Sequence, residues 1–351
     1  NMPDFEKYTN ITIIGCGSAY HAGLIGKNLI EKYANIKTDV YIASEFRYQK
    51  VFTDENTLVI LISQSGETAD TLACLRKANE LGLDTLAIVN VIGSSLAREA
   101  SKTIYIKAGP EISVATTKAY LAQITILSLI ALTIGNNRNL ISDKKALEII
   151  SSLEDTPLIL ETLINENYKG IAKTLCKKEN CFYIGRGIDY ALCLEGALKL
   201  KEISYITTLA YPAGELKHGT ISLIDKGTNV IAVVTDKNIA EKTFSNIKEV
   251  KARGAFITLI TTDKLDENLD WVDNKINIQE VITRGAKTLV VTNQELPSNN
   301  IDTIITVPDT NVLLSPILSI VPLQLLSYFI SKEKGLDVDK PRNLAKSVTV
   351  E

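Results

Sequence analysis

Six consecutive residues, Ser63-Gln64-Ser65-Gly66-Glu67-Thr68, bring three hydroxyls, an amide and a glycine into one short stretch. An apolar run at 58–62 precedes them, and a helical pattern follows to about residue 81. At such a strand-to-helix junction, backbone N–H groups point outward and the helix dipole adds partial positive charge. A phosphate monoester fits that environment. The lysine and the spacing of a P-loop are missing, which disfavours nucleoside triphosphates. A serine N-cap would explain one hydroxyl; their density favours an anion site. Val114-Ala115-Thr116-Thr117-Lys118 is a second hydroxyl-bearing helix entry, which by itself reads equally well as a cap.

Three further segments hold groups able to move protons. Glu195, Lys199 and Glu202 fall at i, i+4 and i+7, on one face of a helix. Composition alone reads them as a solvated ladder of salt bridges. The chemical reading is a carboxylate base tuned by an adjacent lysine, as proton transfer between neighbouring sugar carbons requires. His218, one of two histidines, sits between Gly214 and Gly219 in a loop. A loop histidine is commonly a bystander; as a functional group it would open a sugar ring by proton transfer near neutral pH. Lys346 lies in the polar tail 334–351, which has no periodicity and matters only by folding over a site.

These segments need a scaffold. The recurring unit is a short apolar strand, a small polar loop and a longer amphipathic helix. Strands are expected at 11–14, 58–62, 85–89 and 103–106, with a long helix from about Thr117. Their continuous β-branched runs predict a parallel sheet covered by helices on both faces. Residues 136–167 read as a helical connector. The pattern then restarts: Ile184-Gly185-Arg186-Gly187-Ile188-Asp189-Tyr190 echoes Ile14-Gly15-Cys16-Gly17-Ser18-Ala19-Tyr20, which points to an ancient domain duplication. Later strands are expected at 230–234, 257–261, 288–291 and 304–307. A shorter repeat pairs Asn246-Ile247-Lys248-Glu249-Val250 and Arg253-Gly254-Ala255 with Asn277-Ile278-Gln279-Glu280-Val281 and Arg284-Gly285-Ala286, a tandem helix–strand unit near 246–292.

The chain has 351 residues, long enough for two domains of ordinary size. Its 45% apolar and 23% charged residues are those of a globular protein. A net charge of −3 offers no case for nucleic acid or an anionic membrane, so an anionic ligand needs a local site. Five cysteines without a CxxC pair, and two histidines, argue against a zinc cluster and for reduced thiols in the cytoplasm. The polar start carries no signal peptide pattern. Two apolar runs, 120–134 and 313–330, are interrupted by polar residues and prolines and read as buried helices rather than spans.

Cys16-Gly17, Ala43-Ser44-Glu45-Phe46-Arg47-Tyr48, the 63–72 loop and helix start, and segments 195–204, 214–219 and 340–351 together resemble the isomerase half of the glucosamine-6-phosphate synthase family, also called glutamine–fructose-6-phosphate amidotransferase. The resemblance covers nearly the whole chain. It implies two tandem SIS (sugar-isomerase) domains, near 1–150 and 151–330, each a five-stranded parallel sheet between helices, and a tail 331–351 over the active site. It implies fructose-6-phosphate as substrate, held at Ser18, Ser63, Gln64, Ser65, Thr68, Val114, Thr116 and Ala345. Glu202 matches the base for C1–C2 proton transfer, Lys199 its neighbour, and Arg186 a charge that steadies the enediol-like intermediate. His218 matches the ring-opening histidine that reaches the opposite subunit of a homodimer. Lys346 matches the tail lysine that meets the open-chain sugar. Neither cofactor nor metal is called for.

Three features depart from the family pattern. Ser18-Ala19 replaces Thr-Ser, which keeps one hydroxyl and removes the other. Thr116 stands where serine is common. The tandem repeat near 246–292 is additional. The family's glutaminase is missing from this stretch; the abrupt start at Asn1 leads us to expect a domain excised from a longer chain, with a naturally free-standing relative as the alternative. Two competing expectations are a stand-alone amino-sugar phosphate isomerase or deglycase, and a non-catalytic sugar-phosphate sensor; the latter class tends to lose the base, whereas Glu202, His218 and Lys346 are all present.

Overall fold

The computed structural model describes residues 3–50, 54–165, 168–262, 274–278, 304–306, 311, 313–346 and 348–349. The first half runs β1 Asn10–Gly15, α1 Ser18–Ala34, β2 Lys37–Ile42, α2 Ala43–Phe46, β3 Thr57–Ser63, α3 Ala69–Glu80, β4 Asp84–Val89, α4 Ser95–Glu99, β5 Lys102–Tyr105 and α5 Lys118–Asn137. Helices α6 Asp143–Ile164 and α7 Tyr168–Leu175 lead into the second half. There follow β6 Asn180–Gly185, α8 Ile188–Ser204, β7 Thr207–Pro212, β8 Asn229–Val234, α9 Ala240–Lys251, β9 Phe256–Thr262, β10 Asn274–Ile278, β11 Ile304–Thr306 and α10 Ser315–Glu333.

Both sheets are parallel throughout the described ladders. The first has the order β2-β1-β3-β4-β5. Among the described residues the second has the order β11-β10-β9-β8-β6-β7, six strands rather than the five expected, because β10 and β11 extend its edge. Asn277 and Ile278 belong to β10, whereas their repeat partners Asn246 and Ile247 belong to helix α9. At these positions the apparent repeat therefore joins unlike elements. Its remainder, with the strand expected at 288–291, lies outside the described residues.

Strand β3 shows why continuous apolar runs form here. Leu58, Ile60 and Ile62 face one core, and Val59 and Leu61 face the other. Each fully buried side chain of this size contributes about 1.5–3 kcal/mol. The outer face of the first sheet packs on α2, α3 and α4, and that of the second on α9. The inner faces share one continuous core with α1, α5, α6, α7, α8 and α10. Helix α5 is long and apolar enough to cross a membrane, yet it packs inside this shared layer against α1. Helices α1 and α8, each beginning at the C-terminal end of a sheet, also touch one another, so residues of both halves can meet in one place.

Candidate active site

The loop after β3 is held by its own side chains. Ser63 Oγ lies 3.0 Å from Thr68 Oγ1 and accepts the Gly66 N–H at 3.0 Å. Ser65 Oγ accepts the Glu67 N–H at 3.2 Å. Gly66 has φ +68°, and a Cβ there would stand 2.1 Å from Ser94 Oγ, so only glycine fits. Glu67 fixes the next turn by accepting the Ser95 N–H at 2.8 Å, and that bond holds its carboxyl below the usual range.

A cavity of about 490 Å³ opens over this loop. Its floor is Ser63, Gln64, Ser65 and Thr68, with Cys16, Gly17, Ser18 and Ala19 of the β1–α1 turn beside them. Val114 and Thr116 close one side, Lys199 and Glu202 of α8 another, and Leu344, Ala345 and Lys346 of the tail lie across it. Eleven of the thirteen residues singled out from the sequence are thus gathered here: Ser18, Ser63, Gln64, Ser65, Thr68, Val114, Thr116, Lys199, Glu202, Ala345 and Lys346. The remaining two, Arg186 and His218, do not line it. Arg186 donates to Asn246 Oδ1 at 2.7 Å and packs against Gly214, at the start of the loop that carries exposed His218.

The ladder on α8 is buried, not solvated. Glu195 is 0% and Lys199 2% exposed. Lys199 Nζ lies 2.5 Å from Glu202 Oε2 and 3.5 Å from Glu195 Oε1. Burial works against the ammonium charge, but the carboxylates of Glu195 and Glu202 outweigh it and raise the Lys199 pKa above the ordinary lysine value. Glu195 also bridges the two halves: Ser18 Oγ donates to its Oε1 at 2.8 Å, and His21 Nδ1 lies 2.8 Å from its Oε2. Sequence reasoning missed His21. The available signal was its rarity as one of two histidines and its place one turn after Ser18 on α1.

The tail is strapped down. Asp339 O accepts the Val114 N–H at 3.0 Å, Val338 O accepts Ser113 Oγ–H at 3.2 Å, and Val348 O accepts the Ala69 N–H at 3.2 Å. The Arg342 guanidinium stacks 4.2 Å from the Tyr205 ring centroid, while its backbone N–H donates to the Tyr205 hydroxyl at 2.8 Å. Lys346 Nζ donates to Ser113 O at 2.7 Å and lies 3.6 Å from Glu111 Oε2. Burial pushes its pKa down, with Glu111 opposing. Glu111, also missed, accepts the Thr117 N–H at 2.6 Å. Among the described residues, no group of three or more His, Cys, Asp and Glu side chains is placed to hold a metal.

Two parallel α/β units with a hydroxyl-rich loop at the C-terminal end of a central strand define a class. The chain belongs to the SIS domain family, whose model matches residues 4–133 and 174–270. It is 47% identical over 351 residues to the glutamine–fructose-6-phosphate aminotransferase (isomerizing) of Caldanaerobacter subterraneus subsp. tengcongensis, covering 99% of this chain and 53% of that one. It is 46% identical over 348 residues to the protein of the same name from Clostridium acetobutylicum, covering 99% and 52%. The chain spans about half the length of these curated relatives. Among solved structures it is similar to the C-terminal domain of glucosamine-fructose-6-phosphate aminotransferase from Francisella tularensis, with a TM-score of 0.84, 36% identity, and coverage of 96% of this chain and 87% of that one.

Proposed function

We propose that the chain is the isomerase portion of a glutamine–fructose-6-phosphate aminotransferase, converting fructose-6-phosphate and ammonia to glucosamine-6-phosphate. The observation that carries this reading is the single cavity shared by the hydroxyl loop, the Lys199–Glu202 pair and the tail lysine. Its volume suits a hexose phosphate. The phosphate rests on Ser63, Gln64, Ser65 and Thr68, beside Ser18, with Val114, Thr116 and Ala345 along the sugar. Ala19 leaves one hydroxyl fewer than the family pattern. Lys346 meets the open-chain C2 carbonyl as an imine, which ammonia displaces. Glu202 then takes the C1 proton and returns it to C2, while the C1 hydroxyl gives up its proton and the C2 nitrogen gains one, leaving an aldehyde at C1 and an amine at C2. Lys199 holds the Glu202 carboxylate in place, and the tail keeps water from the intermediate.

Arg186 and His218 sit together on the second half, outside the cavity of their own chain. Their placement supports a homodimer in which each chain lends this edge to its partner's site, His218 opening the sugar ring and Arg186 steadying the enediol-like intermediate. The ammonia comes from a glutaminase portion, in keeping with a match over about half of each curated relative. The enzyme so described is soluble and cytoplasmic. Incubation with fructose-6-phosphate and ammonium is the test: glucosamine-6-phosphate forms without glutamine. Failure to form it, with the sugar phosphate bound, refutes the assignment.

A further inference from the structure

The two halves share a turn at atomic detail. Gly17 has φ 53° and ψ −124° before α1, and Gly187 has φ 57° and ψ −125° before α8. Counting from these glycines, Ala19 and Asp189 hold the same place. The strand registers extend the equivalence. Ile14 pairs with Leu61, and Ile184 pairs with Ala232. Three residues past Leu61 is Gln64, and three past Ala232 is Thr235; Ser65 and Asp236 follow. The phosphate-loop positions of the first half therefore have counterparts at Thr235 and Asp236.

Those counterparts are already engaged. Asp189 is 2% exposed. Its Oδ2 accepts the Thr235 N–H at 2.8 Å and the Asp236 N–H at 3.5 Å, and its Oδ1 accepts the Thr235 hydroxyl at 2.5 Å. Two successive amides and a hydroxyl converging on one anion is the donor pattern of a phosphate cradle. The Asp236 carboxylate is turned into its own loop, accepting from Asn238 N at 3.0 Å and Nδ2 at 2.8 Å. The same turn supplies a cation, Arg186, whose Nε is buried with no hydrogen-bond partner among the described residues. In the first half Ala19 leaves the equivalent place open, and a cavity lies there.

We propose that the second half keeps an anion cradle equivalent to the phosphate loop of the first, and that the Asp189 carboxylate occupies it as a built-in substitute for phosphate. The chain then presents one sugar-phosphate site rather than two, and the residue type at positions 19 and 189 decides which half binds. This rests on the reading of residues 63–68 as the phosphate loop.

The test titrates inorganic phosphate into the wild-type chain and into Asp189→Ala, following the amide resonances of Gln64, Ser65, Thr235 and Asp236. In the wild type only Gln64 and Ser65 shift. In Asp189→Ala all four shift, and calorimetry finds a second equivalent of phosphate. A folded Asp189→Ala protein whose Thr235 and Asp236 amides ignore phosphate overturns the proposal. Should that variant fail to fold, Ala19→Asp carries the test, because it moves the carboxylate into the first cradle. Phosphate affinity at Gln64 and Ser65 then falls at least about tenfold; unchanged affinity overturns the proposal. A wild-type protein with no shift at Gln64 and Ser65 would instead refute the phosphate-loop reading, while the Thr235 response in Asp189→Ala still decides this one.

Discussion

Replacing Lys199 by methionine keeps most of the side-chain volume and removes one charge, so its cost reports the buried ion pairs directly. The lysine is 2% exposed and stands between Glu195, which is fully buried, and Glu202, whose side chain is 20% exposed. Without the ammonium, Glu195 keeps a full charge away from water. Removing one partner of a buried pair costs about 3–5 kcal/mol. Two features pull the value toward the lower end: Glu202 can reach solvent, and His21, 2.8 Å from Glu195, still supports that carboxylate. The expected loss is therefore about 3 kcal/mol, a large share of the roughly 5–15 kcal/mol that holds a native protein together. In urea, with a slope of about 3 kcal/mol/M, the midpoint drops by roughly 1 M. Adding Glu195→Gln to Lys199→Met removes both charges and restores at least about 1 kcal/mol, the signature of direct coupling. If Lys199→Met unfolds within about 0.5 kcal/mol of the wild type and shows no coupling to Glu195→Gln, the buried stack described here is wrong.

Gly66→Ala meets both a left-handed backbone and the Ser94 hydroxyl, so it destabilises the loop by about 1–3 kcal/mol and weakens sugar-phosphate binding; unchanged calorimetric affinity contradicts the loop geometry. Mixing His218→Ala chains with Glu202→Gln chains, each inactive alone, restores activity in heterodimers by assembling one intact site; verified heterodimers that stay inactive exclude the shared site. Asp189 gives a pH dependence of known sign. Burial raises its pKa from 3.8 to about 6, opposed by the Thr235 hydroxyl and amide and the Asp236 amide. The native state then binds more protons than the unfolded one between these values, so this group's contribution falls as pH rises from about 4 to 6 and is flat above, on the order of 3 kcal/mol in all. Relative to Asp189→Asn, the wild type loses urea resistance over that window; a difference independent of pH contradicts the assignment.

The central strands, buried on both faces, were legible in sequence, and so was the less buried edge strand β5. Residues 58–62 fall within β3 and 230–234 within β8 because central parallel strands are continuous apolar runs. Of the strands not expected from sequence, β2 and β7 are sheet edges, where Lys37, Thr38 and Asp39 or Thr207 and Thr208 break the run, and β10 was read as helix. The apolar run 120–134 falls in α5, and most of 313–330 in α10. The helical reading of 277–278 failed because residue identity with α9 is local, whereas pairing with β9 decides the element there. For the site, the hydroxyl loop could be read from density and position alone. The Glu195–Lys199–Glu202 face was visible, but its burial was not, since that depends on α1 and α10 packing over α8. The tail was legible only by resemblance: much of its hold runs through backbone carbonyls at Val338, Asp339 and Val348, which leave no mark in side-chain pattern. His21 and Asp189 went unremarked because their partners are far away in the chain.

The claim on which the account turns is that Glu202 moves the proton between C1 and C2 of the bound sugar. The direct measurement is exchange of the C1 hydrogen of fructose-6-phosphate with deuterated water, in the wild-type chain and in Glu202→Gln. The substitution keeps the side-chain shape, and the Ser63–Thr68 loop is untouched. The account predicts that Glu202→Gln binds fructose-6-phosphate as the wild type does and exchanges that hydrogen at least about a hundredfold more slowly, the usual reach of a general base. Exchange at the wild-type rate would contradict it.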